Sequence, residues 1–163
     1  ELARCIPPLE WVVPFVFQGR RIGYLGDPWL APGVADIARL VGARLTYAVL
    51  TNPAVHSAKT AALLGGATRV KVWPRARELR TFLAELPPEA RPDVVVLNDA
   101  GVGLVDGPWV GLGFPSSFSH RLYARPFLGF EGFLAFVDSL ADQIRRREVV
   151  SPGMRGAADS WPG

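Results

Sequence analysis

Four short stretches of this sequence gather side chains able to do chemistry: Gly26-Asp27-Pro28, Thr51-Asn52, Asn98-Asp99 and Ser116-Ser117-Phe118-Ser119-His120. Carboxylates and a histidine can hold or move protons near neutral pH. Amides and hydroxyls can orient a polar ligand. Asp27, Asn98, Asp99, Ser116, Ser117 and His120 are therefore the candidate pocket residues. Asp, Asn and Ser also cap helices and close turns, and that reading accounts for each of them singly. A Ser–His–Asp set can be drawn from Ser117, His120 and Asp99, but no Gly-x-Ser-x-Gly elbow surrounds a serine, which argues against a hydrolase. His120 has no Cys, Asp or Glu at ligand spacing, so no metal site is assigned to it. His56 lies among small residues and reads as a surface side chain. No catalytic residue is identified.

The elements that must position these stretches alternate between two hydrophobic periods. Arg20–Leu25, Arg44–Leu50, Val70–Trp73, Asp93–Leu97 and Trp109–Leu112 read as strands. Asp93-Val94-Val95-Val96-Leu97 is a continuous apolar run, as expected of a strand covered on both faces. Helical spacing covers Trp29–Val41, Val55–Leu64, Pro74–Leu86 and Gly129 to about Glu148. Pro32 falls in a first turn, where a missing N–H costs little, and Gly42 ends that helix. Strands alternating with helices imply parallel strands joined by right-handed crossovers. The expected fold is α/β: a doubly wound, mostly parallel sheet of four or five strands with helices on both faces, Rossmann-like or flavodoxin-like. The four polar stretches then fall at the carboxyl ends of strands, where open sheets of this kind bind ligands.

Three regions are expected. Residues 1–17 form an apolar lead-in, in which Pro7, Pro8 and Pro14 should break any long helix. Trp11, Val12, Val13, Phe15, Val16 and Phe17 are too apolar for a free tail. They read either as a packed segment or as a surface that meets another domain or subunit. Residues 18–150 form a single Rossmann-like domain, and 151–163, rich in Gly, Ala, Ser and Pro, a flexible tail.

Composition narrows the function further. With 163 residues and 49% hydrophobic content the chain can bury a substantial core. A net charge of +3 is too small to argue for nucleic acid or a membrane surface as partner. No apolar run approaches the roughly 18–20 residues of a membrane span. Cys5 is the single cysteine. It excludes a disulfide within the chain and an all-cysteine metal site. Scarce cysteine and the lack of a signal sequence after Glu1 suit the cytoplasm. A first residue other than Met fits a processed chain or a piece of a longer one. The first strand exits into Gly26-Asp27-Pro28-Trp29 and not into a Gly-x-Gly-x-x-Gly turn. Ordinary dinucleotide binding is therefore not expected.

Three segments, in this order, resemble the nitrogenase component 1 family. That family holds the iron–sulfur subunits of nitrogenase, the related cofactor-assembly scaffold, and the light-independent protochlorophyllide and chlorophyllide reductases. Gln18-Gly19-Arg20-Arg21-Ile22-Gly23-Tyr24-Leu25-Gly26-Asp27-Pro28 is similar to the family's G-K-R-hydrophobic-Y-G-D-P strand. Pro92-Asp93-Val94-Val95-Val96-Leu97-Asn98 is similar to its P-D-hydrophobic-N strand. Gly113-Phe114-Pro115 through Leu128-Gly129-Phe130-Glu131-Gly132 is similar to G-F-P … L-G-Y-E-G, which opens a long helix. Order and spacing run from about Gln18 to Arg147 and are most like the β-type subunit. After Pro115 the chain departs from the β-type pattern, with Ser-Ser-Phe-Ser in place of an aromatic–Asp–Arg run.

The resemblance implies a later Rossmann-like domain of a much longer oxidoreductase subunit. It would help form a cofactor or substrate pocket and a subunit interface. No iron–sulfur cluster would be bound by this chain alone, because the family's cluster cysteines lie mainly earlier. The cluster is expected in the parent complex. Partners would be other domains or subunits, with a tetrapyrrole or metal cofactor in play, and neither nucleic acid nor membrane. In the α-type subunit a His matching His120 ligates the iron–molybdenum cofactor. The spacing here follows the β-type, whose corresponding residue is not a ligand. Two further readings stay open: a stand-alone, non-catalytic cofactor- or tetrapyrrole-binding or assembly protein, and a flavodoxin-like domain with an unrelated role.

Overall fold

The computed structural model describes residues 2–66, 68–113 and 129–150. Ser116, Ser117 and His120 lie outside the described residues, as does the expected tail at 151–163. The chain begins with α1 (Leu2–Val12) and a π-helical turn, Val13–Phe17. There follow β1 (Arg21–Gly26), α2 (Ala31–Leu40), β2 (Arg44–Leu50), α3 (Ala54–Leu63), β3 (Arg69–Val72) and α4 (Ala76–Ala84). After a 3-10 turn at Pro88–Ala90 come β4 (Val94–Leu97), a second such turn at Asp99–Gly101, β5 (Trp109–Gly111) and α5 (Gly129–Val150).

The five strands form one parallel sheet in the order β3-β2-β1-β4-β5. That is the Rossmann order, and it resolves the flavodoxin-like alternative, whose sheet is ordered differently. All four residues of β4 are buried, as its unbroken apolar run requires. One face of the sheet carries Ile22, Tyr24, Ala48, Val94 and Val96, packed against Val34 and Ala38 of α2 and Val137, Leu140 and Ile144 of α5. The other carries Leu25, Tyr47, Val49, Val95 and Leu97, packed against Leu79, Phe82 and Leu83 of α4. Gly23 permits a close approach there: a Cβ on it would lie 2.5 Å from Tyr47 Cζ. The Tyr47 ring thus occupies the space a side chain would need.

The lead-in corrects one expectation. Helix α1 runs through Pro7 and Pro8, and Pro14 falls at the start of the π-helical turn. Prolines remove ladder hydrogen bonds and crowd the preceding turn. Here tertiary packing overrides that local cost: Val16 and Phe17 enter the core, and Leu9, Val12 and Val13 pack against it. The same segment leaves Ile6, Trp11 and Phe15 exposed, with the rings of Trp11 and Phe15 6.1 Å apart. Trp73 also differs from expectation. It stands just past β3 with φ of 44°, where bulky residues are strained, and its N–H donates to Leu50 O at 2.8 Å.

The amino edge of the sheet is tied down by arginines. Arg21 donates to Asp93 from its backbone N–H (2.9 Å), from Nε (3.3 Å) and from Nη2 (3.2 Å). Its Nη1 donates to Pro88 O at 2.7 Å. Arg44 donates to Glu89 O, buried Thr46 to Ala90 O, and Arg147 to Pro92 O. Segment 88–93 is thereby fixed from three neighbouring elements, β1, β2 and α5. Burial alone would raise the Asp93 carboxyl. The Arg21 hydrogen bonds and the charges of Arg21 and Arg20 outweigh it and hold the group below its ordinary value. Such a group stabilises the fold above the unfolded-state value, and the gain is lost as pH falls through the folded one. Asp93→Asn should lower unfolding free energy by about 1–3 kcal/mol at neutral pH in urea titrations. The gap from the parent chain should stay constant down to about pH 4 and shrink below it.

Candidate functional site

The carboxyl ends of β1, β2 and β4 bring three of the four polar stretches together. Asp27 follows β1, and Tyr24, buried in that strand, fixes its backbone by donating from its hydroxyl to Asp27 O at 2.6 Å. Burial, and then the Asp27 charge, push the Tyr24 hydroxyl well above the usual phenol range, so it stays a donor. The Asp27 carboxylate accepts from Trp29 N–H at 2.9 Å and from Asn52 Nδ2 at 3.4 Å. Asn52 in turn offers its carbonyl to the Ser57 hydroxyl at 2.8 Å. Asn98, 4% exposed at the end of β4, donates from Nδ2 to Thr51 Oγ1 at 3.4 Å and accepts from Ala100 N–H at 3.2 Å. Asp99 opens the 3-10 turn capped by Asn98 and is half-buried.

Asp27 and Asn98 thus belong to one polar row that runs through Asn52 and Thr51. Asp99 sits beside that row. The row lies where β1 and β4 part to opposite sides, the crevice in which sheets of this order hold ligands. Gly113, the last described residue before the fourth stretch, stands at its border: a Cβ there would lie 3.4 Å from Leu30 Cδ1 and 3.8 Å from Asn98 Cβ. The described chain therefore reaches this crevice just before the fourth stretch in sequence. The geometry also explains why the first turn is not a phosphate cradle. The N–H of Trp29 is taken by the chain's own carboxylate, and Pro28 has no N–H to give.

Two exposed indoles at this edge escaped the sequence reading, which placed them inside a helix and a strand. Trp29 is 69% exposed in the turn after β1 and Trp73 58% exposed after β3. The Asp27–Pro28 pair, which delays the helix, and the Pro74 after Trp73 were the available signals.

With this geometry established, comparison with solved structures is decisive for the fold. A structure described as "Nitrogenase Cp1 at pH 6.5" superposes on 91% of this chain with a TM-score of 0.70 and 19% sequence identity. The chain has a nitrogenase-like α/β fold. It spans about a third of that structure's own length, 34%. No protein-family model and no curated protein matches the sequence.

An iron–sulfur cluster is held by several thiolates, typically four. This sequence has one cysteine, and among the described residues no three His, Cys, Asp or Glu side chains come together as a metal site. The chain by itself does not fit such a cluster. Among the described residues no helix is long and apolar enough to cross a membrane.

Asn98→Ala should cost about 1–2 kcal/mol in thermal or urea unfolding, through loss of the turn cap. Asn98→Asp keeps the acceptor for Ala100 N–H and should recover part of that loss. Equal losses in the two variants would show that the amide donor to Thr51, and not the cap, carries the effect.

Proposed function

We propose that this chain is a scaffold domain of a nitrogenase-like oxidoreductase subunit, walling a cofactor or substrate pocket with the carboxyl edge of its sheet. The observation that carries the reading is the match of a Rossmann-ordered sheet to a nitrogenase structure over nearly the whole of this chain. In this reading Asp27, Asn98 and Asp99 form one side of the pocket. Ser116, Ser117 and His120, which follow Gly113 in sequence, are proposed as further members of the pocket. Tyr24 fixes the Asp27 backbone, and the Trp29 N–H orients its carboxylate. Electrons reach the pocket from an iron–sulfur cluster bound elsewhere in the cytoplasmic parent complex, since the thiolates must come from other protein.

The lead-in supplies the contact with that other protein. One side of it is spent on the core through Val16 and Phe17, and the other displays Trp11 and Phe15. Large exposed aromatics in contact with each other are the usual anchors of protein interfaces. The remaining two thirds of a nitrogenase-sized subunit, or its partner subunit, covers them.

The purified chain should be colourless and free of iron by metal analysis; stoichiometric iron with a cluster spectrum would overturn the reading. Coexpressed with the rest of its reading frame and its genomic neighbours, it should copurify with an iron–sulfur protein. Trp11→Ala with Phe15→Ala should leave the melting of the isolated chain within about 0.5 kcal/mol and abolish copurification. Failure of the unmodified chain to associate would favour a stand-alone role.

A further inference from the structure

The described residues cover the Tyr47 face of the sheet incompletely. Among the described residues its only long cover is α4, because the connection from β4 to β5 folds as a 3-10 turn and loop and not as a helix. Between the C-terminal part of α4 and that connection lies a groove of about 550 Å³, within the size range of small-molecule sites. It opens beside Arg91 and Pro92, at the amino edge of the sheet, away from the Asp27–Asn98 row.

Its lining combines an apolar floor with a cationic rim. Leu83 and Leu104 flank it, and Arg80, Arg91 and Arg147 surround it. Arg91 is held by donating from Nε to Leu86 O at 3.2 Å, and Arg147 by donating to Pro92 O at 3.0 Å. Both guanidinium groups are therefore positioned before any ligand arrives, which lowers the entropic cost of binding. Asp106 is the one acid in the lining, so the rim keeps a positive balance.

Tyr47 is the second observation. Its side chain is 1% exposed, seated over Gly23 and edge-on to Phe82 with ring centroids 5.9 Å apart. The residue lines the groove. Burial pushes the Tyr47 hydroxyl above the usual phenol range, so it serves as a donor.

We infer that this groove binds an amphipathic organic acid, its apolar body between Leu83 and Leu104 and its carboxylate on Tyr47 and the arginine rim. A carboxylate suits the site better than a phosphate, whose heavier hydration would be lost against the leucines. The carboxylate can accept from the Tyr47 hydroxyl and meets guanidinium groups that recognise it in bidentate fashion.

Titration calorimetry of the full chain with decanoate tests this. Acetate lacks the tail and decyltrimethylammonium reverses the charge. Decanoate should bind saturably, with both controls at least about tenfold weaker. Arg80→Ala, at an exposed residue, or Tyr47→Phe, which keeps the ring, should weaken decanoate about three- to tenfold, with folding checked by thermal melts. No saturable decanoate binding, equal affinity for the cationic amphiphile, or unchanged affinity in both variants would overturn the inference.

Discussion

The pairing of Arg21 with Asp93 is the constraint on which the rest of the architecture depends. Strands β1 and β4 are distant in sequence, and two helix–strand units and α4 lie between them. Backbone bonds alone leave such a pair free to slip, because apolar valines are nearly interchangeable along β4. Asp93 removes that freedom. It accepts from the backbone and the side chain of a single residue, and its own N–H donates to Arg21 O at 2.8 Å. With the start of both strands fixed, their ends are fixed too. Asp27 and Asn98 therefore meet at the opposite edge.

The two edges of the sheet divide the work. At the amino edge long cationic side chains reach backbone carbonyls of segment 88–93, an arrangement suited to rigidity because each carbonyl acquires a charge-assisted donor. At the carboxyl edge short polar side chains reach one another, with partners 3.4 Å apart in two cases. Contacts that long are weak. A rigid base with a loosely bonded polar rim is what a domain needs if the rim is to receive something else.

The lead-in shows how one segment can serve two surfaces. Its apolar residues exceed what the core of this chain can absorb, so burial of Val16 and Phe17 leaves Trp11 and Phe15 in solvent.

The order of elements was legible in the sequence because period-two and period-3.6 patterns are local: Val94–Leu97 and the α2 stripe announce themselves without reference to neighbours. The parallel sense followed from alternation, and the polar candidates from their position after strands. Arg21 and Asp93 were visible as parts of two separate motifs; that they form one clamp depends on which strands become neighbours, and topology alone decides that. The helical path through Pro7 and Pro8 was hidden because packing on α5 outweighs a local preference. The Tyr47 groove was hidden for a related reason. A tyrosine in a strand reads as core, and only the tertiary fold, in which no described helix but α4 covers that face, makes Tyr47 a groove residue.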